Sequence, residues 1–207
     1  MSITFPISLP SSPGAFAFRL TQVSTASVNE SSFTGTQQVV EWPREFWKLS
    51  VGMPPMERAD AAAWVAALVS LRGMTNTFLA GDPSAATPQG VATGSPLVNG
   101  NQAGGSKTLA TKGWTHNVTG ILKAGDYIQL GTGSGSRLHM VLKDVNSDSS
   151  GNATLDIFPR LRVAVATNDV ITISNCVGVF RLAANEIDFS IDAIMHFGID
   201  YNATEAL

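Results

Sequence analysis

Cysteine is almost missing from this chain of 207 residues. Cys176 stands alone, which excludes an internal disulfide and fits synthesis in a reducing compartment. Charge is also scarce, at 14% of residues against a typical share of about a quarter. So little charge, with 44% hydrophobic residues, suggests surface that is buried against other subunits. The few charges give no basic excess: 13 Lys and Arg against 16 Asp and Glu leave a net charge of −3. That excludes general nucleic-acid affinity through a basic face. No apolar run approaches the ~20 residues of a membrane span, so membrane insertion is not expected. The opening MSITFPISLPSSPG lacks a basic region and a cleavable apolar stretch, so no signal peptide is expected. Without one, the glycosylation-type triplets at Asn29, Asn117, Asn152 and Asn202 read as chance matches.

Groups that carry chemistry are thin in the same way. His116, His139 and His196 are scattered, with no pair at metal-ligand spacing. Asp144, Asn146, Asp148 and Gly151 resemble a calcium loop, but the glycine falls at the eighth position and Leu155 at the twelfth. A calcium loop needs glycine at the sixth and a bidentate acid at the twelfth. Gly131, Gly133 and Gly135 are followed by no helix and no P-loop lysine, so they read as a hairpin tip. No serine sits in a nucleophile elbow. The expectation is a protein without catalytic residues, metal or cofactor. An enzyme reading ranks third, since carboxylates that meet only in three dimensions stay invisible in a sequence.

What is present is pattern. Phe16, Phe18 and Leu20 alternate with Ala17, Arg19 and Thr21, predicting a strand up to Val28. A turn over 29–35 and a strand through Val40 and Trp42 follow. Trp47, Leu49, Val51 and Met53 alternate again and run into Pro54-Pro55, which cannot continue a ladder. A helix is then predicted over about 56–72, entered through proline and closed by Gly73. Glu57 and Asp60 suit its first turn, and Ala61, Trp64, Leu68 and Leu71 form one apolar stripe.

Composition shifts at Ser84. Residues 84–106 are rich in Gly, Ser, Ala, Pro and Asn and read as a linker or exposed loop system, with a short strand at Pro96-Leu97-Val98. Short strands follow at 108–114, 127–130, 138–145, 153–158, 170–173 and 177–182, the spacing of a small sandwich or barrel. From Ile187 to Tyr201 nearly every second residue is apolar, predicting one strand of about 50 Å. Its other face carries Asp188, Asp192 and Asp200. The expected architecture is mainly β, with residues 1–92 and 184–207 in one discontinuous domain and 93–183 an inserted β domain.

Several segments taken together resemble the distal tail proteins of long-tailed bacteriophages, which are related to tail-tube and baseplate ring proteins. They are Trp47-Lys48-Leu49, Met53-Pro54-Pro55-Met56, Ala59-Asp60-Ala61-Ala62-Ala63-Trp64, Leu71-Arg72-Gly73 and Phe78-Leu79-Ala80-Gly81-Asp82-Pro83. In the insert they are Gly113-Trp114, the run from Leu122 to Gly131, Pro159-Arg160-Leu161-Arg162 and Phe180-Arg181-Leu182. The resemblance implies a tail-tube-like belt domain carrying a galectin- or OB-like insert. It implies a homo-oligomeric ring, commonly a hexamer, in the virion at the tail tip. The tail-tube protein would lie on one face, hub or tip proteins on the other, and DNA would pass through without specific binding. It brings no catalytic site or cofactor. On electrostatic grounds Asp188, Asp192 and Asp200 become candidates to face the channel, because an acidic wall repels phosphates. The alternative function is a carbohydrate-binding module of a tail tip, with Trp114 and Tyr127 as stacking platforms; the plain reading of both rings is core packing.

Overall fold

The computed structural model describes residues 3–206. Strands take up 43% of the chain and helix 9%, so the fold is mainly β, with two sheets, one of them nearly barrel-shaped.

The first sheet starts with β1 (Ile7–Ser8) and a long hairpin of β2 (Ala17–Glu30) and β3 (Gln37–Gly52). Its tip is closed by backbone bonds between Ser31 and both Gly35 and Thr36. The sequence suggested separate strands on either side of Pro43. Instead β3 is continuous, because a bulge opposite Ser24 and Thr25 leaves Pro43 and Arg44 outside the pairing. A bulge is one of the few places where a strand tolerates a residue without an amide donor.

Helix α1 (Arg58–Ser70) follows the double proline and buries Ala61, Trp64 and Leu68, with Leu71 buried at its C-cap. Gly73 ends the unit at φ 64°, and a Cβ there would lie 2.7 Å from the Asn185 backbone. Both the left-handed conformation and the close approach call for glycine. Strand β4 (Phe78–Ala80) then returns to pair with β1.

Residues 94–172 supply all six strands of the second sheet. They are β5 (Gly94–Val98), β6 (Thr108–Trp114), β7 (Tyr127–Leu130), β8 (Arg137–Val141), β9 (Ala153–Phe158) and β10 (Ile171–Thr172). The order is β10-β7-β8-β9-β6-β5, and a bridge between Leu97 and Val170 links the two edges. Val98, Leu109, Ile128, Val141, Leu155 and Ile157 fill its interior.

The chain then re-enters the first sheet. β11 (Gly178–Leu182), β12 (Phe189–Ile191) and β13 (Phe197–Glu205) complete the order β1-β4-β11-β13-β3-β2, with β12 on β13. β11 lies within the stretch 93–183 expected as insert, yet it runs between β4 and β13. Its neighbours explain this: Phe180 faces Phe78 on one side and pairs with Glu205 on the other, so its partners are far away in sequence.

Two expectations are corrected. Of the two readings of 84–106, the loop system holds outside β5 and the linker does not. Asp126 accepts from the Gln89 and Gly90 amides at 2.7 and 3.1 Å, Val91 and Ala92 bond to Gly120 and Ile121, and Gln102 pairs with Val165. A Cβ on Gly90 would sit 2.4 Å from the Ile121 carbonyl, so its small size reflects contact rather than looseness. The single strand over 187–201 is the second correction: it is a hairpin. Asp192 Oδ1 accepts from the Ile194 and His196 amides at 3.0 and 2.8 Å, and Met195 takes φ 64°. This is an Asx-type turn, and alternation of apolar residues carries no signal that distinguishes it from continuing strand.

Candidate assembly surfaces

The aromatic candidates come first. Trp114 is 2% exposed, and its indole N–H donates to Thr111 Oγ1 at 2.8 Å inside the second sheet. Tyr127 is buried against Trp47, with ring centroids 6.3 Å apart. Neither ring offers a face to a sugar, so stacking on these residues is ruled out by burial. The fading calcium resemblance is explained as well. Asp144, Asn146 and Asp148 accept from the amides of Ala124, Gly120, Ser150 and Asn152, which makes them turn fasteners. No group of three His, Cys, Asp or Glu with metal-binding geometry occurs among the described residues.

Asp188, Asp192 and Asp200 are all exposed. The hairpin separates them, however. The pair Phe189–Ile199 has Asp188 and Asp200 flanking it on one side, whereas Asp192 caps the turn at the other end.

The junction between the sheets holds polar residues that the sequence reading did not single out. Arg160 Nη2 donates to Glu45 at 2.9 Å and to Glu41, and the Arg160 amide donates to Glu45 at 2.7 Å. Lys107 joins Glu41 at 2.7 Å. Arg162 Nη2 meets Glu205 at 2.7 Å, and that carboxylate also accepts from the Trp47 amide at 3.0 Å. Hydrogen bonding to Glu45 holds Arg160 all the more firmly protonated. Glu205 is different: burial pushes its carboxyl up, and Arg162 offsets part of that. The signal that existed was the charge in Pro159-Arg160-Leu161-Arg162 amid apolar strands; its partners lie more than 40 residues away.

Apolar side chains close the same junction. Trp47 donates its indole N–H to the Leu138 carbonyl at 3.2 Å and meets Phe158 edge-on at 5.0 Å. His139, fully enclosed on β8, donates from Nδ1 to the Pro159 carbonyl at 2.6 Å; burial pushes its pKa down to about 4.

Among the described residues, two surfaces that carry exposed apolar side chains stand uncovered. The first is the outer half of the β2–β3 hairpin. From Ala26 to Arg44 nearly every residue is exposed on both faces, including Phe33 at 99% and Trp42 at 54%. The second is an open groove of about 770 Å³ between α1 and the β12–β13 hairpin, lined by Ala62, Val65, Val69, Phe189, Ile191 and Met195. Met195 and Ile191 are 73% and 53% exposed. Clustered exposed apolar side chains make both surfaces candidate contact sites.

No protein-family model matches the chain, and no curated protein matches it.

Proposed function

We propose that this chain is a structural ring protein of a phage tail, the distal tail protein that joins the tail tube to the tip. The observation that carries the reading is the bare outer half of the β2–β3 hairpin, which has no core of its own to justify it. A two-stranded ribbon is marginal in water, so a long one exposed on both faces needs a partner. The low charge content and the uncovered groove support the same conclusion.

In this reading the first sheet with α1 forms the belt of a closed ring, commonly of six copies, and the second sheet is a galectin- or OB-like decoration. Tail-tube protein lies on one face and hub or tip protein on the other. DNA passes through the channel without specific contacts, past an acidic wall to which Asp188, Asp192 and Asp200 contribute. The reading assigns no reaction and no cofactor to the chain, and it places the protein in the virion.

Negative-stain imaging of the purified protein, with antibody labelling of tailed particles that carry it, tests the proposal. Rings with a central hole and label at the distal tail end are expected. Label on the capsid, or particles that lack the protein altogether, would refute it.

A further inference from the structure

The bare arm and the groove lie at opposite ends of the same strand. β13 pairs Asp200 with Gly52 and Thr204 with Lys48, so the β12–β13 turn lies beyond the Gly52 end of β3 and the arm extends beyond the Lys48 end. From the arm tip to Gly52, β3 covers 16 residues, or about 50 Å at roughly 3.3 Å per residue. The arm is also tethered on its own side, through Glu41 to Lys107 and Arg160. It therefore does not fold back onto the groove of its own chain.

The two surfaces match in character. Between Thr25 and Trp42 the arm carries only two charges, Glu30 and Glu41, and no lysine guards its edges. Val28 pairs with Val39 across the ribbon, two pairs in from the Glu30–Gln37 pair that carries the tip and its exposed Phe33. At the tip, Phe33, Val28 and Val39 leave on the order of 400 Å² of surface in water, while Val40 points to the other face and Trp42 lies further down the ribbon. The groove residues leave a similar amount, so the apolar part of the contact is on the order of 800 Å², which the polar residues of the tip extend toward the roughly 1,000 Å² of a specific interface. Arg58 on the groove rim suits Glu30 beside the arm tip, whereas Glu41 is already paired with Lys107 and Arg160 of its own chain.

We propose that the arm of one copy seats Phe33, with Val28 and Val39 behind it, in the α1/β12–β13 groove of a second copy of this chain. The contact is heterologous, so repeating it makes a ring if the rotation closes and a filament if it does not. Closure rests on the ring reading above; the contact itself does not.

Two variants of the full chain separate the possibilities. The arm variant is Phe33→Ser with Val39→Ser, and the groove variant is Val69→Glu with Met195→Glu. All four side chains are more than half exposed, so thermal unfolding should match the wild type. Sedimentation should show wild-type assemblies and monomers of either variant, with self-association weakened about 30-fold or more, as for loss of a hot spot. An equimolar mixture should give a 1:1 heterodimer, because one good arm then meets one good groove and nothing can extend it.

Wild-type rings that persist in both variants would overturn the proposal and leave the ring reading standing. Open chains or dimers that vanish in the variants and return as heterodimer in the mixture would support the contact and sink the closed ring. A wild-type monomer at about 1 mM, or folded variants that fail to pair when mixed, would overturn the contact.

Discussion

Trp47 gives the sharpest test of how the two sheets are joined. It belongs to β3, is 4% exposed, and packs across the junction onto Tyr127 and Phe158 while donating to Leu138. Replacing it with alanine removes a large buried ring, which costs about 3–5 kcal/mol in comparable cores. The Leu138 carbonyl then loses its partner, at about 1 kcal/mol more. That is a large fraction of a typical total of roughly 5–15 kcal/mol. With a urea slope of about 2 kcal/mol/M, the midpoint should fall by about 2 M. Trp47→Phe should lose far less, about 1–2 kcal/mol, since the ring contacts survive and only the hydrogen bond goes.

Urea titration followed by circular dichroism and tryptophan fluorescence reads both effects. Emission sums Trp42, Trp47 and Trp64 of the first sheet with Trp114 of the second, whereas circular dichroism follows the strands of both, so decoupling of the sheets shows as non-coincident transitions. The expected pattern is one transition for the wild type and for Trp47→Phe, and two for Trp47→Ala. An alanine variant within about 1 kcal/mol of wild type, or one no worse than phenylalanine, would refute the assignment of Trp47 as the joint.

Two further outcomes follow from the geometry. His139 is neutral when folded, with its pKa lowered from 6.5 to about 4, so the unfolded chain binds its proton first as pH falls. Its contribution is complete above pH 6.5 and is lost toward pH 4, worth about 3 kcal/mol; His139→Gln should flatten that part of the stability–pH curve, and an unchanged slope would contradict the burial argument. In the groove variant Val69→Glu with Met195→Glu, whose arms find no partner groove, the broad-specificity protease subtilisin should cut first at the arm tip around Phe33 and spare residues 84–106, which mass spectrometry of early fragments would show.

Local chemistry in the sequence decided most of the elements. Alternation placed the start of β2, helical spacing the stripe of α1, and short apolar runs between turns the strands at 108–114, 127–130 and 153–158, because each depends on residues a few positions apart. Pro54-Pro55 and Gly73 bounded the helix for equally local reasons. The same pattern failed at Ile187–Tyr201, where Asp192 turns the chain without breaking the apolar alternation. At 84–106 composition could not tell a linker from an ordered loop, since the bonds that order that stretch come from Asp126, Ile121 and Val165.

The sheet that β11 joins, the enclosure of Trp114 and Tyr127, and the Arg160–Glu45 and Arg162–Glu205 pairs were all decided by tertiary structure. Each joins residues tens of positions apart or more, and periodicity within one segment holds no information about which distant segment lies beside it. The bare arm and the groove are of this kind. Val39, Trp42 and Phe189 read in sequence like the core residues Leu49, Trp64 and Phe180, and only the packed chain shows which of them it leaves uncovered.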